Sequence, residues 1–129
     1  MLRYDSISPR LCVPELTATV KYYLDVFGFM DWSGWPEDAP TFAIVSRDGA
    51  TIQFQQVDSY LPVSETTMLH VTVADTDAVL AQIAGRTKIE WGPENYGYGR
   101  REFAVRDCNG VMVIFSEETS EAPTCPIDD

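Results

Sequence analysis

The chain has one histidine, His70. It follows Met68 by two residues, so in a strand the two side chains share a face. An imidazole there can stack on a ligand or hydrogen-bond to it. With no nucleophile or carboxylate motif beside it in sequence, it is weak support for general-base catalysis. The plainer role is a hydrogen-bonded histidine on a half-buried strand. No nucleophile elbow, phosphate loop or nucleic-acid motif occurs. Cys12, Cys108 and Cys125 have no metal-type spacing and form no even disulfide set, so reduced thiols are expected. Aromatic rings offer a second chemistry. Tyr96 and Tyr98 fall in the glycine-rich stretch 95–99, which reads as a loop that frees their side chains from the core. Asp31, Glu37, Asp38, Glu90 and Glu94 would supply negative potential. Rings can stack on a flat group, and carboxylates can attract a cation.

The bulk composition agrees. The chain has 129 residues, enough for one domain with a sizeable core. An apolar fraction of 45% and an aromatic fraction of 12% argue for a globular protein. The formal charge of −11 disfavours nucleic acid and permits a cationic ligand, although solubility alone accounts for many acidic proteins. No apolar run reaches membrane-spanning length and no signal-peptide pattern is present, so a cytoplasmic location is expected.

The elements that must position these residues centre on 98–115, which reads as strand, turn, strand. Phe42-Ala43-Ile44, Gly49 and Ile52-Gln53-Phe54 match Phe103-Ala104-Val105, Gly110 and Val113-Ile114-Phe115. The shared offset is 61, which marks an internal repeat. Strands are expected at 6–13, 29–34, 41–46 and 51–57, with a helix at 15–27 closed by Gly28. The second half repeats the order. It has strands at 68–73 and 88–91, a helix capped by Asp75 and closed by Gly85, a loop at 92–99, and the 98–115 hairpin. A polar linker is expected at 59–67 and a loosely ordered polar tail at 118–129. The fold class is α+β, with two tandem βαβββ modules at about 6–57 and 67–117.

The run Leu11-Cys12-Val13-Pro14-Glu15-Leu16, with Tyr22-Tyr23 and Phe27-Gly28-Phe29, resembles the opening of the vicinal oxygen chelate superfamily. That superfamily includes glyoxalase I, extradiol dioxygenases and the fosfomycin- and bleomycin-resistance proteins. Arg101-Glu102-Phe103-Ala104-Val105-Arg106-Asp107, with Asn109-Gly110, is most similar to the bleomycin-resistance branch. The resemblance implies curved mixed sheets and a ligand site on their concave faces. In that branch it further implies a homodimer with clefts at its interface, often with the first strand exchanged. Phe42 matches a ligand-stacking phenylalanine of the branch. Tyr98 lies near an aromatic that precedes Gly-Arg-Glu-Phe, although Arg100 is an extra residue there. The expected ligand-binding set is Trp32, Trp35, Phe42, Phe54, His70, Trp91, Tyr96 and Tyr98. Arg101 and Glu102 are expected to be a solvated or intra-subunit ion pair.

The enzymes of the superfamily hold a divalent metal at positions that here are Ser8, Gln53, Met68 and Ile114. Ile114 cannot ligate, and a thioether suits softer ions than magnesium, manganese, zinc or iron. No metal and no cofactor are therefore expected. The function implied is sequestration of a small cationic aromatic ligand, such as a glycopeptide antibiotic of the bleomycin kind, without chemistry. The alternative is an enzyme of the lyase, isomerase or dioxygenase type with an atypical metal site.

Overall fold

Pro9 has no N–H to give a ladder, and the first strand begins just after it. The computed structural model describes residues 2–58 and 66–125. It comprises two units, Met1–Leu61 and Pro62–Asp129, each with a four-stranded sheet and one helix. The first unit runs β1 (Arg10–Val13), α1 (Leu16–Asp25), β2 (Asp31–Trp35), β3 (Phe42–Arg47) and β4 (Ala50–Gln56). The second runs β5 (Met68–Thr72), α2 (Thr76–Ile83), β6 (Ile89–Tyr96), β7 (Arg100–Arg106) and β8 (Met112–Glu118). The sheet orders are β1-β4-β3-β2 and β5-β8-β7-β6, with only β1·β4 and β5·β8 parallel. No helix among the described residues is long and apolar enough to cross a membrane. Most of the expected linker, 59–65, lies outside the described residues.

One face of each sheet is covered by its helix. In the first unit Leu16, Val20 and Tyr23 of α1 meet Ala43, Val45, Ile52 and Phe54 in a buried core. The Tyr23 ring is 5.0 Å from both Phe27 and Phe54 and 5.6 Å from Phe29. In the second unit Ile83, Phe103, Val105, Val113 and Phe115 are buried, with Phe103 stacked on Phe115 at 5.4 Å. Burying each such ring contributes about 1.5–3 kcal/mol. Gln56 Oε1, on β4, accepts the Leu16 N–H at the start of α1. At the same place in the second unit, Glu117 Oε1 on β8 accepts from Thr76 N and Oγ1. Each helix is thus anchored by the last strand of its own sheet, which satisfies a donor left free by the first turn.

The repeat is real but not ungapped. Ala43 pairs with Phe54, whereas Phe103 pairs with Phe115. From β4 to β8 the offset is 61, and from β3 to β7 it is 60. The second turn causes the slip. Asp107 N donates to Val111 O around Cys108-Asn109-Gly110, while Arg47 pairs with Ala50 around Asp48-Gly49 alone. A slip of one residue moves side chains to the opposite face of a sheet. Phe42 therefore corresponds to Glu102 and not to Phe103. In the shorter turn Asp48 carries the positive φ, 51°; in the longer one Gly110 does, 87°.

Two further expectations are corrected. Strand β6 runs through 92–96, where a loop was expected from Gly92-Pro93. Register shifts on either side of Trp91 absorb the irregularity, and a Cβ at Gly92 would lie 2.4 Å from Glu102 O. The tail is also tied down. Thr124 N donates to Asn95 O, Asn95 N donates to Thr124 Oγ1, and Thr124 Oγ1 donates to Glu94 Oε2. Residues 126–129 lie outside the described residues.

Candidate functional site

The face of each sheet opposite its helix carries a mixture of polar, aromatic and aliphatic side chains. In the first unit these are Arg10 on β1, Trp35 on β2, Phe42 and Ile44 on β3, and Gln53 and Gln55 on β4, by strand alternation and register. The Arg10 guanidinium lies 4.4 Å from the Phe42 centroid, within cation–π range, while its Nε donates to Gln53 Oε1 at 2.9 Å. Trp35 lies beside Phe42, centroids 5.8 Å apart and planes tilted by 31°.

Two expected members leave this face. Phe54 is 0% exposed and packs against Tyr23 on the helix side, because it falls on the core parity of β4. Trp32 is three residues from Trp35 and so points the other way. It registers with Val45, and its ring covers Gly34, where a Cβ would come within 2.9 Å of it.

In the second unit the corresponding face is built around Glu102, which is 4% exposed. Its Oε1 accepts from the Tyr98 hydroxyl. Its Oε2 accepts from Ser116 Oγ at 2.7 Å and meets His70 Nε2 at 3.0 Å. Behind Ser116, Arg100 Nε donates to Ser116 Oγ and Arg100 donates to Thr72 Oγ1. Burial pushes the Glu102 carboxyl up, but hydrogen bonds from Tyr98, Ser116 and His70, with the charge of His70, outweigh it. The group lies below the ordinary carboxylate range. Glu102 is therefore an ionised acceptor at neutral pH, and every polar neighbour donates to it. The expected ion pair of Glu102 with Arg101 does not form. Alternation sends Arg101 to the helix side, where it bonds Asp77 and Asn95.

Aromatic rings extend from this carboxylate. Tyr98 is 54% exposed and stacks on Tyr96 at 5.7 Å with an interplanar angle of 9°. Trp91 meets Tyr96 edge-on at 5.9 Å. Tyr98 and Arg100 also line a hollow of about 440 Å³ with Gly99, Glu118, Thr119 and Ser120. The structure thus gathers Trp91, Tyr96 and Tyr98 in one series and holds His70 and Tyr98 on one carboxylate. It brings Trp35 and Phe42 together in the first unit. Sequence reasoning left Glu102 out of the ligand-binding set, naming it only as an ion-pair residue and for an atypical metal site in the enzyme alternative. The signal was its parity: Arg100, Glu102, Ala104 and Arg106 alternate against the apolar Phe103 and Val105.

The positions at which the superfamily's enzymes hold a metal do not fit one here. In the first unit the Gln53 oxygen is engaged by Arg10, and Ser8 is the other candidate donor. In the second, Met68 and Ile114 supply a thioether and a hydrocarbon, neither suited to a hard divalent ion.

Comparison with solved structures places this geometry among known folds. The chain is similar to the bleomycin-binding protein of Streptomyces verticillus, solved with copper(II)-bleomycin, at 24% identity and TM-score 0.72, covering 94% of this chain and 100% of that one. It is similar to TioX of Micromonospora sp. ML1 at 18% identity and TM-score 0.74, covering 92% and 99%. It is also similar to the bleomycin resistance determinant encoded on transposon Tn5, at 18% identity and TM-score 0.68, covering 89% and 98%. No curated protein sequence matches it. The family model described as the Glyoxalase/Bleomycin resistance protein/Dioxygenase superfamily matches residues 3–115, and the chain belongs to that superfamily.

Proposed function

We propose that this protein binds a small, flat, cationic ligand and sequesters it without chemistry, as a cytoplasmic homodimer with its ligand clefts at the dimer interface. The observation that carries the reading is the Trp91–Tyr96–Tyr98 series, half open to solvent and ending on a buried, ionised carboxylate. Stacking holds the flat part of such a ligand, and negative charge favours its cation. The likeness to proteins whose names record bleomycin binding or resistance supports the same class of ligand. The contact residues in this reading are Trp35, Phe42, His70, Trp91, Tyr96 and Tyr98. Holding a toxic compound requires affinity and abundance, and the unfavourable metal positions are no handicap to it.

The test is a titration with metal-free bleomycin in the presence of chelator, followed by tryptophan fluorescence at two salt concentrations. Saturable quenching near one drug per chain, weaker at high salt, is the expected result. A flat titration up to high micromolar drug would overturn bleomycin-type sequestration.

A further inference from the structure

Glu102 fixes the direction of every hydrogen bond around it. An ionised carboxylate only accepts, so Tyr98, Ser116 and the Nε2 of His70 must all carry the shared protons. Arg100 has no acceptor atoms, so its Nε–H donates to Ser116 Oγ, which leaves the serine proton for Glu102. The chain Arg100 to Ser116 to Glu102 thus has one polarity, and His70 joins it as an Nε2–H donor. A neutral imidazole protonated at Nε2 has a bare lone pair at Nδ1. Among the described residues no group hydrogen-bonds Nδ1, and the His70 side chain is 50% exposed. Beside it, Tyr98 is held by the other oxygen of the same carboxylate.

We propose that Glu102 is a positioning residue that holds the neutral form of His70 in the Nε2–H tautomer, so that its Nδ1 accepts a hydrogen bond from an N–H cation, of the amidinium or protonated-amine class, stacked on the Tyr98 ring. The proposal rests on the small-molecule reading above and deepens it. The sheet face favours a donor, because Nδ1, which has no partner among the described residues, is an acceptor and the carboxylate behind it is negative. Glu102 itself stays beneath the face, 4% exposed, and acts through His70 and Tyr98.

Because His70 is the only histidine, one ¹⁵N-histidine label reports on this site alone. In the wild type, at a pH where the ring is neutral, Nε2 is expected to carry the proton and Nδ1 to show the pyridine-type resonance. In Glu102→Gln, Tyr98 still donates to the side-chain oxygen, and the amide nitrogen takes the place shared by Ser116 and His70, so it donates to both and the imidazole proton moves to Nδ1. Benzamidinium at millimolar concentration should shift the wild-type Nδ1 resonance, and benzoate should not. A His70→Phe variant keeps a ring at this exposed position, removes the acceptor, and should bind benzamidinium several-fold more weakly by Tyr and Trp fluorescence. The proposal is overturned if the wild type shows the Nδ1–H tautomer, or if benzamidinium leaves Nδ1 unmoved. It is equally overturned if benzoate moves Nδ1 instead. None of these results depends on bleomycin, so this proposal and the sequestration reading fail separately.

Discussion

The two sheets have the same strand order, yet equivalent points on their open faces carry different pairs. In the first unit Arg10 lies over the Phe42 ring. In the second, by register, the same two positions are His70 and Glu102, joined at 3.0 Å. A cation on an aromatic ring has become an imidazole on a carboxylate. On the helix side what is kept is burial and role: Phe54 and Phe115 are both buried, Ala43 and Phe103 share a register position and are both buried though they differ in size, and Gln56 and Glu117 both serve a helix start. The face that makes the core stays apolar along β3 and β7, at Ala43 and Phe103 and at Val45 and Val105, because an unpaired polar group buried there would cost stability. The open face is free to differ, and the chemistry that distinguishes the units is found on it.

The largest test of this comparison is a pair of truncations. Phe42 and Phe103 occupy matching places in the ungapped repeat but opposite faces in the structure. Phe103→Ala should cost about 3–5 kcal/mol in urea unfolding, as core phenylalanines do. Phe42→Ala should cost roughly 1 kcal/mol, since its ring is only partly removed from water. Equal costs would break the one-residue slip and restore the ungapped alignment.

The next effect concerns Glu102. Replacing it with glutamine should destabilise by about 1–3 kcal/mol at neutral pH, because buried donors lose a charged acceptor. Its folded pKa is depressed, so the stabilisation is fully present above the unfolded glutamate value, about 4.3, and is lost as pH falls through the lower folded value. The gap between wild type and Glu102→Gln should therefore narrow on acidification below that range. A gap that stayed constant from neutral to strongly acidic pH would show that the carboxylate charge contributes nothing.

The smallest expected difference separates the helices. Asp75 Oδ1 accepts from Ala78 N, whereas the Glu15 side chain makes no cap bond to α1. Asp75→Ala should cost about 1 kcal/mol. Glu15→Ala should change stability by less than about 0.5 kcal/mol. Matching losses in thermal unfolding would contradict this asymmetry.

Much of the architecture was legible in the sequence. Alternation, helical spacing, the Gly28 and Gly85 stops and the Asp75 cap all point to the elements observed, since each is a local preference. Register was not legible. The offset of 61 holds through β4 and β8 and hides one residue added in the second turn, so Phe42 was matched with Phe103. The partners of Glu102 were not legible for a related reason: in sequence it sits beside Arg101, and only the pairing with β8 and the nearness of β5 show that they are Ser116 and His70. Gly92-Pro93 looked like a strand end, because the local signal for a breaker is the same as the signal for a bulge. Trp32 and Trp35 resemble each other in composition, yet three residues of strand place them on opposite faces.

The pairing of Thr124 with Asn95 has a consequence for behaviour in concentrated solution. Strand β6 is an edge of its sheet, and an unpaired edge is a template for adding strands from other molecules. Thr124 occupies both backbone groups of Asn95, one through its own N–H and one through its hydroxyl, and Pro93 offers no N–H two residues earlier. The polar tail thus acts as a guard against edge-to-edge aggregation, and removing it would expose this edge to self-association while leaving the core intact.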